Sequence, residues 1–246
     1  MIIDTHIHLY DTFEGLPGST PEQLVKDLGD RGIAKAWAFT LNGFFKNCRE
    51  ENDKLVELCA RVGGMFIPFM TVNPRDEMDA VEEVERAYYE LGMKGLKIHN
   101  WLQAFSLTNK WFHEIVKKCC QLSIPILFHD GTPPYCTPLQ ICHIAEKYPQ
   151  STIVLAHSGI NDLWREALYG AERNRNVYLC TCSTQYIGLK EIIKRLGPER
   201  VIYGSDAGFG DAGIIDDNLK KVYLLGLKDN DLERVLYKNA ENIIDG

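Results

Sequence analysis

The residues best suited to chemistry in this chain are five histidines, one lysine and one aspartate, each at or near the end of an apolar run. His6 and His8 close the run Ile2-Ile3-Asp4-Thr5-His6-Ile7-His8, and Lys97 and His99 close Lys94–His99. His129 closes Ile124–His129, His157 closes Thr152–His157 and Asp206 closes Val201–Asp206. Alternate side chains leave the same face of a strand, so His6 and His8 present two imidazoles side by side, and Lys97 and His99 pair in the same way. Neutral imidazoles with a carboxylate suit zinc or another first-row divalent ion, and three nitrogens with one oxygen leave room for a reactive water. One histidine at a strand end is more often a hydrogen-bonded structural group, and His113 and His143, on helical patterns, keep that reading. It is the gathering of ligands at one edge that points to a metal. Asp4 reads equally as a hydrogen-bond partner of an imidazole or as a buried carboxylate bonded to backbone. Cys180 and Cys182 share a face of their strand and read as structural thiols lining the interior.

Such residues need a scaffold that brings many strand ends to one rim. Thr20-Pro21-Glu22-Gln23 offers a capping residue, a first-turn proline and a glutamine for a capping box, opening a helix to about Arg31 that Gly32 stops. Ile33–Thr40 is the second strand. Leu55, Leu58, Cys59 and Val62 then recur at helical spacing before the strand Met65–Val72, and Val81, Val84, Tyr88 and Leu91 do so before Lys94–His99. Thr108 is expected to cap a helix that buries Phe112, Ile115, Val116 and Cys119. Pro138–Lys147, the set Leu163, Ala167 and Leu168, and the set Leu189, Ile192, Ile193 and Leu196 give further helices, with Val177–Cys182 as the seventh strand. Helical patterns around Leu219–Leu225 and Leu232–Ile243 end the chain. Eight strands, each followed by a helix, predict a single-domain α/β protein over residues 1–246, a (β/α)8 TIM barrel with its site at the C-terminal strand ends. An open doubly wound sheet would carry a glycine-rich phosphate turn after its first strand, where this chain has histidines.

The formal charge of -7, from 27 Lys and Arg against 34 Asp and Glu, gives no electrostatic footprint for nucleic acid or an anionic membrane. With no basic leader and no long apolar segment, the expected location is the cytoplasm. Eight cysteines without a CxxC pair read as reduced thiols. The loops expected at the mouth, Phe44-Phe45-Lys46, Asn100-Trp101, Phe105 and Thr132-Pro133-Pro134-Tyr135, set aromatics beside cations. That suits a small organic acid with a ring or apolar portion, and His99 and Trp101 are the candidate substrate contacts.

Ile3-Asp4-Thr5-His6-Ile7-His8, Gly95-Leu96-Lys97-Ile98-His99, Phe128-His129, Ala156-His157-Ser158-Gly159 and Gly204-Ser205-Asp206 resemble, in this order, the signature segments of the amidohydrolase superfamily. The resemblance is to the amidohydrolase-related (amidohydrolase 2) branch in particular, and Asn239-Ala240-Glu241-Asn242 is similar to its closing helix. It implies that His6, His8, His129 and Asp206 hold a catalytic metal, zinc with manganese as the alternative, in a site of one or two ions. A water activated on the metal would be the nucleophile. Asp206 would take its proton and deliver it to the leaving group, and His157 would polarise the substrate or bind a second metal. Lys97 is either carboxylated, bridging two metals with His157 on the second, or an ammonium facing Asp206 or a substrate carboxylate.

The implied activity is metal-dependent hydrolysis of a small cyclic ester, amide or carboxylate compound. A decarboxylase or hydratase of a small carboxylic acid on the same metal is the alternative, and a homodimer is the expected assembly. A metal-dependent deoxyribonuclease of the TatD group would begin with a motif similar to Asp4-Thr5-His6-Ile7-His8-Leu9. It would place a glutamate at Lys97, however, and phosphates would find no basic stripe. A non-catalytic barrel would have no need of the whole ligand set.

Overall fold

Each apolar run forms a strand of one parallel sheet. In the computed structural model, which describes residues 1–245, the strands are β1 (Ile3–His8), β2 (Lys35–Phe39), β3 (Phe66–Met70), β4 (Gly95–Ile98), β5 (Ile126–Phe128), β6 (Ile153–Leu155), β7 (Val177–Cys180) and β8 (Val201–Ile202). They lie side by side in chain order. The sheet closes on itself, because Thr5 donates its backbone N–H to Tyr203 O (3.0 Å), Asp206 to His6 O (2.9 Å) and His8 to Ala207 O (2.7 Å). Helices α1 (Pro21–Gly29), α2 (Cys48–Ala60), α3 (Met78–Tyr89), α4 (Lys110–Gln121), α5 (Pro138–Lys147), α6 (Trp164–Arg173) and α7 (Tyr186–Leu196) return the chain between strands, and α8 (Gly213–Leu224) follows β8. The chain is a single-domain (β/α)8 barrel. Among the described residues no helix is long and apolar enough to cross a membrane.

Strand alternation sorts the side chains into two apolar layers. Trp37, Phe39, Phe69, Leu127, Val154 and Cys180 fill the barrel interior, while Ala36, Ala38, Met70, Leu96, Ile98, Phe128 and Leu155 meet the helices. β1 departs from strict alternation. Ile3 and His6, three residues apart, both face the interior, and the register against β2 slips between Asp4 and Ile7. Such an irregularity re-aims the side chains that follow it, and here those are the two histidines.

Every strand after β1 ends earlier than its apolar run suggests, and for four of them this concerns candidate site residues. His99 and His129 sit one residue past their strands, His157 two and Asp206 four. The chain has already turned there, with Ser158 at φ 45° and Asp206 at φ 67°, a left-handed conformation that no ladder accommodates. Phe105, expected at the mouth, packs instead in the helix-facing layer, 5.3 Å from Phe112.

At the C-terminus α9 (Asp229–Glu233) leads into one π-helical turn (Arg234–Lys238) and then α10 (Asn239–Asp245). The π turn follows from two demands made on this segment by β8. Val235 O accepts the Tyr203 N–H at 2.9 Å, and Asn239 Nδ2 donates to Pro198 O (2.7 Å) and Val201 O (2.8 Å). A carbonyl drawn to an outside donor is a recognised cause of a local break in the helical ladder.

The cap of α4 is also not the expected one. Asn109 Oδ1 accepts from Trp111 N (2.8 Å) and Phe112 N (3.2 Å), whereas Thr108 pairs with Ser106 Oγ at 2.8 Å. Asparagine reaches two orphan amides from one position nearer the helix. Asn109→Ala is therefore expected to destabilise the protein by about 1 kcal/mol in urea denaturation, with Thr108→Ala much closer to the parent.

Candidate metal centre

His6 and His8 project from β1 with ring centroids 5.3 Å apart and meet the Asp206 carboxylate, which the left-handed turn after β8 swings over the same rim. His8 Nε2 lies 3.0 Å and His6 Nε2 3.2 Å from Asp206 Oδ1. The ligand atoms of these three residues fall within 4.8 Å of one another. His6 Nε2 is nonetheless buried without a hydrogen-bond partner, and so is His8 Nδ1. A buried nitrogen that faces a carboxylate oxygen yet does not bond to it suits a divalent ion, so the donor set fits a metal.

The electrostatics agree. Burial and then Lys97 oppose protonation of His6, yet the adjacent Asp206 carries its pKa above the ordinary imidazole value. Burial would raise the Asp206 carboxyl, and the imidazoles of His6 and His8 outweigh it and hold the group well below the usual carboxylate range. Burial brings His8 down to about 4 and His99 to about 3, and it keeps His129 and His157 well below their ordinary value. These four are neutral at physiological pH, the state in which an imidazole can ligate.

The other expected residues lie around this trio. His157 packs 4.8 Å from the His6 ring, with Nδ1 turned to Cys182. His129 lies 4.7 Å from the His157 ring, but its Nε2 is bonded to Thr132 Oγ1 at 2.9 Å and it is not part of the His6, His8 and Asp206 group. His99 stacks on His129 with centroids 3.8 Å apart and planes 9° from parallel. Lys97 is buried in the interior with its ammonium 4.4 Å over the Phe39 ring, and it is not ion-paired to Asp206. Burial lowers its pKa to about 8. Trp101 lies 6.0 Å from His99 and is 45% exposed. It stands at the edge of a cleft of about 1240 Å³ between α4 and α5, beside the imidazoles rather than over them.

Asp4 is bonded to backbone: its Oδ1 accepts from His6 N (3.1 Å) and Ser205 N (3.0 Å), which ties the first strand to the last at the level of the site. Burial pushes its carboxyl up to about 7.

Two contributors were not singled out by sequence reasoning. Asp130 accepts from His157 N at 2.7 Å and from Gly159 N, so it fixes the turn that carries His157. Its only signal is an acid directly after the strand-five histidine. Phe209 covers His8 at 4.8 Å while remaining 55% exposed, and its signal is an aromatic between Gly208 and Gly210 just past Asp206. Gly208, at φ 124°, allows that turn to pass over β1, because a Cβ there would stand 2.1 Å from His8 O.

The amidohydrolase family model, Amidohydro_2, matches residues 3–245. The chain belongs to the amidohydrolase family. Among the relatives of this amidohydrolase-family chain is decarboxylase orsB of Emericella nidulans, 22% identical over 95% of this chain and 89% of that protein. The crystal structure of 5-carboxyvanillate decarboxylase LigW from Sphingomonas paucimobilis superposes with a TM-score of 0.76 at 16% identity, covering 99% of this chain and 98% of that one. A dihydroxybenzoic acid decarboxylase from Polaromonas sp. JS666, with bound manganese and the inhibitor 2-nitroresorcinol, gives a TM-score of 0.77 at 17% identity, covering 99% and 96%. At such identities the structural likeness is one of fold.

The Asp130 contacts give the centre a direct test. Asp130→Ala strands two buried amide donors and is expected to cost about 2–5 kcal/mol in urea denaturation, with Asp130→Asn milder because its amide oxygen still accepts. Equal stability of Asp130→Ala and the parent would contradict the role of this carboxylate.

Proposed function

We propose that the chain is a metal-dependent decarboxylase of a small carboxylic acid, one with an aromatic or unsaturated portion. The observation that carries this reading is Lys97: a buried cation, free of any ion pair to Asp206, beside a separate cluster of metal donors. The rim thus offers one positive charge for a carboxylate and a second place for a metal. The decarboxylase activities of the relatives support the same choice.

His6, His8 and Asp206 would hold the ion, with His129 joining them in exchange for its bond to Thr132. A divalent ion there would supply Lewis acidity, drawing electron density from an oxygen of the substrate. Zinc and manganese both suit this nitrogen and oxygen set. Lys97 would bind and orient the substrate carboxylate, and His99 and Trp101 would flank the ring, with Phe44 5.5 Å behind His99. In the reaction the bond from ring carbon to carboxyl carbon breaks, carbon dioxide leaves, and the electron pair takes a proton at the ring carbon. Asp206, which His6 and His8 keep ionised, would relay that proton from water to the ring carbon, and His157, neutral and buried, would steady the charge that develops. Phe39, Phe44 and Phe209 around the imidazoles keep bulk water from competing for it.

Hydrolysis of a small cyclic ester or amide is the second reading, favoured by the same carboxylate standing where it could take a proton from water. A panel of hydroxybenzoates and other unsaturated acids, assayed beside lactones and cyclic amides with zinc- and manganese-loaded protein, separates the two. Release of carbon dioxide is expected. Ring opening without carbon dioxide would move the assignment to hydrolysis, and turnover of neither class would contradict both. Lys97→Met is expected to raise KM for the acid by about 10–100-fold, the worth of a lost charge-assisted hydrogen bond. A fall in bound metal from two ions to one in that variant would instead identify Lys97 as a carboxylated metal ligand.

A further inference from the structure

Beneath the imidazoles one sulfur touches two of them at once. Cys182 Sγ lies 3.5 Å from His6 Nδ1 and 3.4 Å from His157 Nδ1, and it donates to Ala156 O at 2.8 Å. Cys182, His6 and His157 are all buried. A thiol has a single proton. With that proton directed to Ala156 O, the sulfur can only accept from the two ring nitrogens. Each imidazole, when neutral, then carries its proton on Nδ1 and is bare at Nε2. For His6 that Nε2 is the atom that lies 3.2 Å from Asp206 Oδ1 with no hydrogen bond formed, the place a cation would take between them. The opposite tautomer would leave Nδ1 and sulfur lone pairs opposed in a dry interior, at the expense of an unsatisfied buried group.

We propose that Cys182 is a positioning residue of the centre: its thiol accepts from His6 Nδ1–H and His157 Nδ1–H, and so turns the His6 Nε2 lone pair toward Asp206 and leaves His157 bare at Nε2. This inference rests on the metal-dependent reading above and adds the group that prepares two imidazoles for the ion. A carboxylate or a backbone carbonyl ordinarily takes this part behind a ligating histidine. A neutral sulfur suits a floor directly beneath Asp206, where a second anion would compete for the same positive charge. Cys180 completes that floor. Its sulfur lies 3.8 Å from Cys182 Sγ and 3.6 Å from Thr5 Oγ1, which is itself bonded to Tyr203 O.

The same three atoms, His6 Nδ1, His157 Nδ1 and Cys182 Sγ, are close enough to ligate a soft metal directly. That use would need a thiolate, whereas the bond to Ala156 O places a proton on the sulfur.

Nitrogen-15 NMR of metal-free protein labelled at histidine, recorded at a pH high enough to leave His6 neutral, reads the tautomers without any metal, so its outcome is independent of whether the metal-dependent reading survives. His6 and His157 are expected as Nδ1–H forms in the parent and in Cys182→Ser, whose hydroxyl can make the same bonds, and to lose that fixed form in Cys182→Ala. Zinc affinity, by competition with a chromophoric chelator, is expected to fall about 10–100-fold in Cys182→Ala and to stay near the parent value in Cys182→Ser. Nε2–H tautomers in the parent would overturn the proposal, as would a Cys182→Ala variant with unchanged tautomers and affinity. A sulfur-to-cobalt charge-transfer band in cobalt-loaded parent, absent from Cys182→Ser, would overturn it in favour of direct ligation. Should Cys182→Ala fail to fold, the parent and Cys182→Ser spectra still decide the matter.

Discussion

The Asp206 carboxylate, held against two imidazoles at a mostly buried rim, is the interaction on which the rest of the site depends. An anion at such a place is tolerated only with positive charge beside it. At an effective dielectric of about 20, a unit cation about 4 Å away contributes about 4 kcal/mol, and a divalent ion more. His6 responds to that field by holding a proton more tightly than its burial would allow. Lys97 responds too, since Asp206 is the strongest influence opposing the desolvation that draws its pKa down. Neutral His8, His99, His129 and His157 complete a surrounding in which a metal is the natural counter-charge.

Closure of the barrel is what brings these groups together. His8 and Asp206 are nearly two hundred residues apart in the chain and meet because β1 and β8 are hydrogen-bonded neighbours. Asp4 reinforces that seam by accepting one amide from each side of it. Asp130, just past the end of β5, accepts two amides from the turn after β6, so that the turn carrying His157 hangs from its carboxylate. Two buried acids bonded to backbone amides thereby set the positions of residues of the candidate centre.

The barrel was legible in the sequence because apolar period and turn chemistry agree in most units: glycine or proline stops after helices, with Asn174 ending α6 instead, and β-branched and aromatic runs for strands. That His6, His8 and Asp206 would lie together was legible as well, because a parallel barrel gathers the ends of its strands, whereas the bond of His129 to Thr132 was not. What escaped was what depends on contact rather than on period. Nothing in Thr108-Asn109 says which of two good caps will bond, and the register slip in β1 arises from pairing with β2 and β8. Asp130 and Phe209 act through neighbours on other loops. Cys182 could be read as facing inward, but its place under two particular imidazoles comes from the turn after β6 and the irregularity in β1 acting together.

The most direct measurement is anomalous diffraction at the manganese or zinc edge from crystals of protein purified without chelators. A peak bounded by His6 Nε2, His8 Nε2 and the Asp206 carboxylate is the predicted result. Metal found only at the surface, with these three side chains hydrogen-bonded to one another and no density among them, would contradict the account.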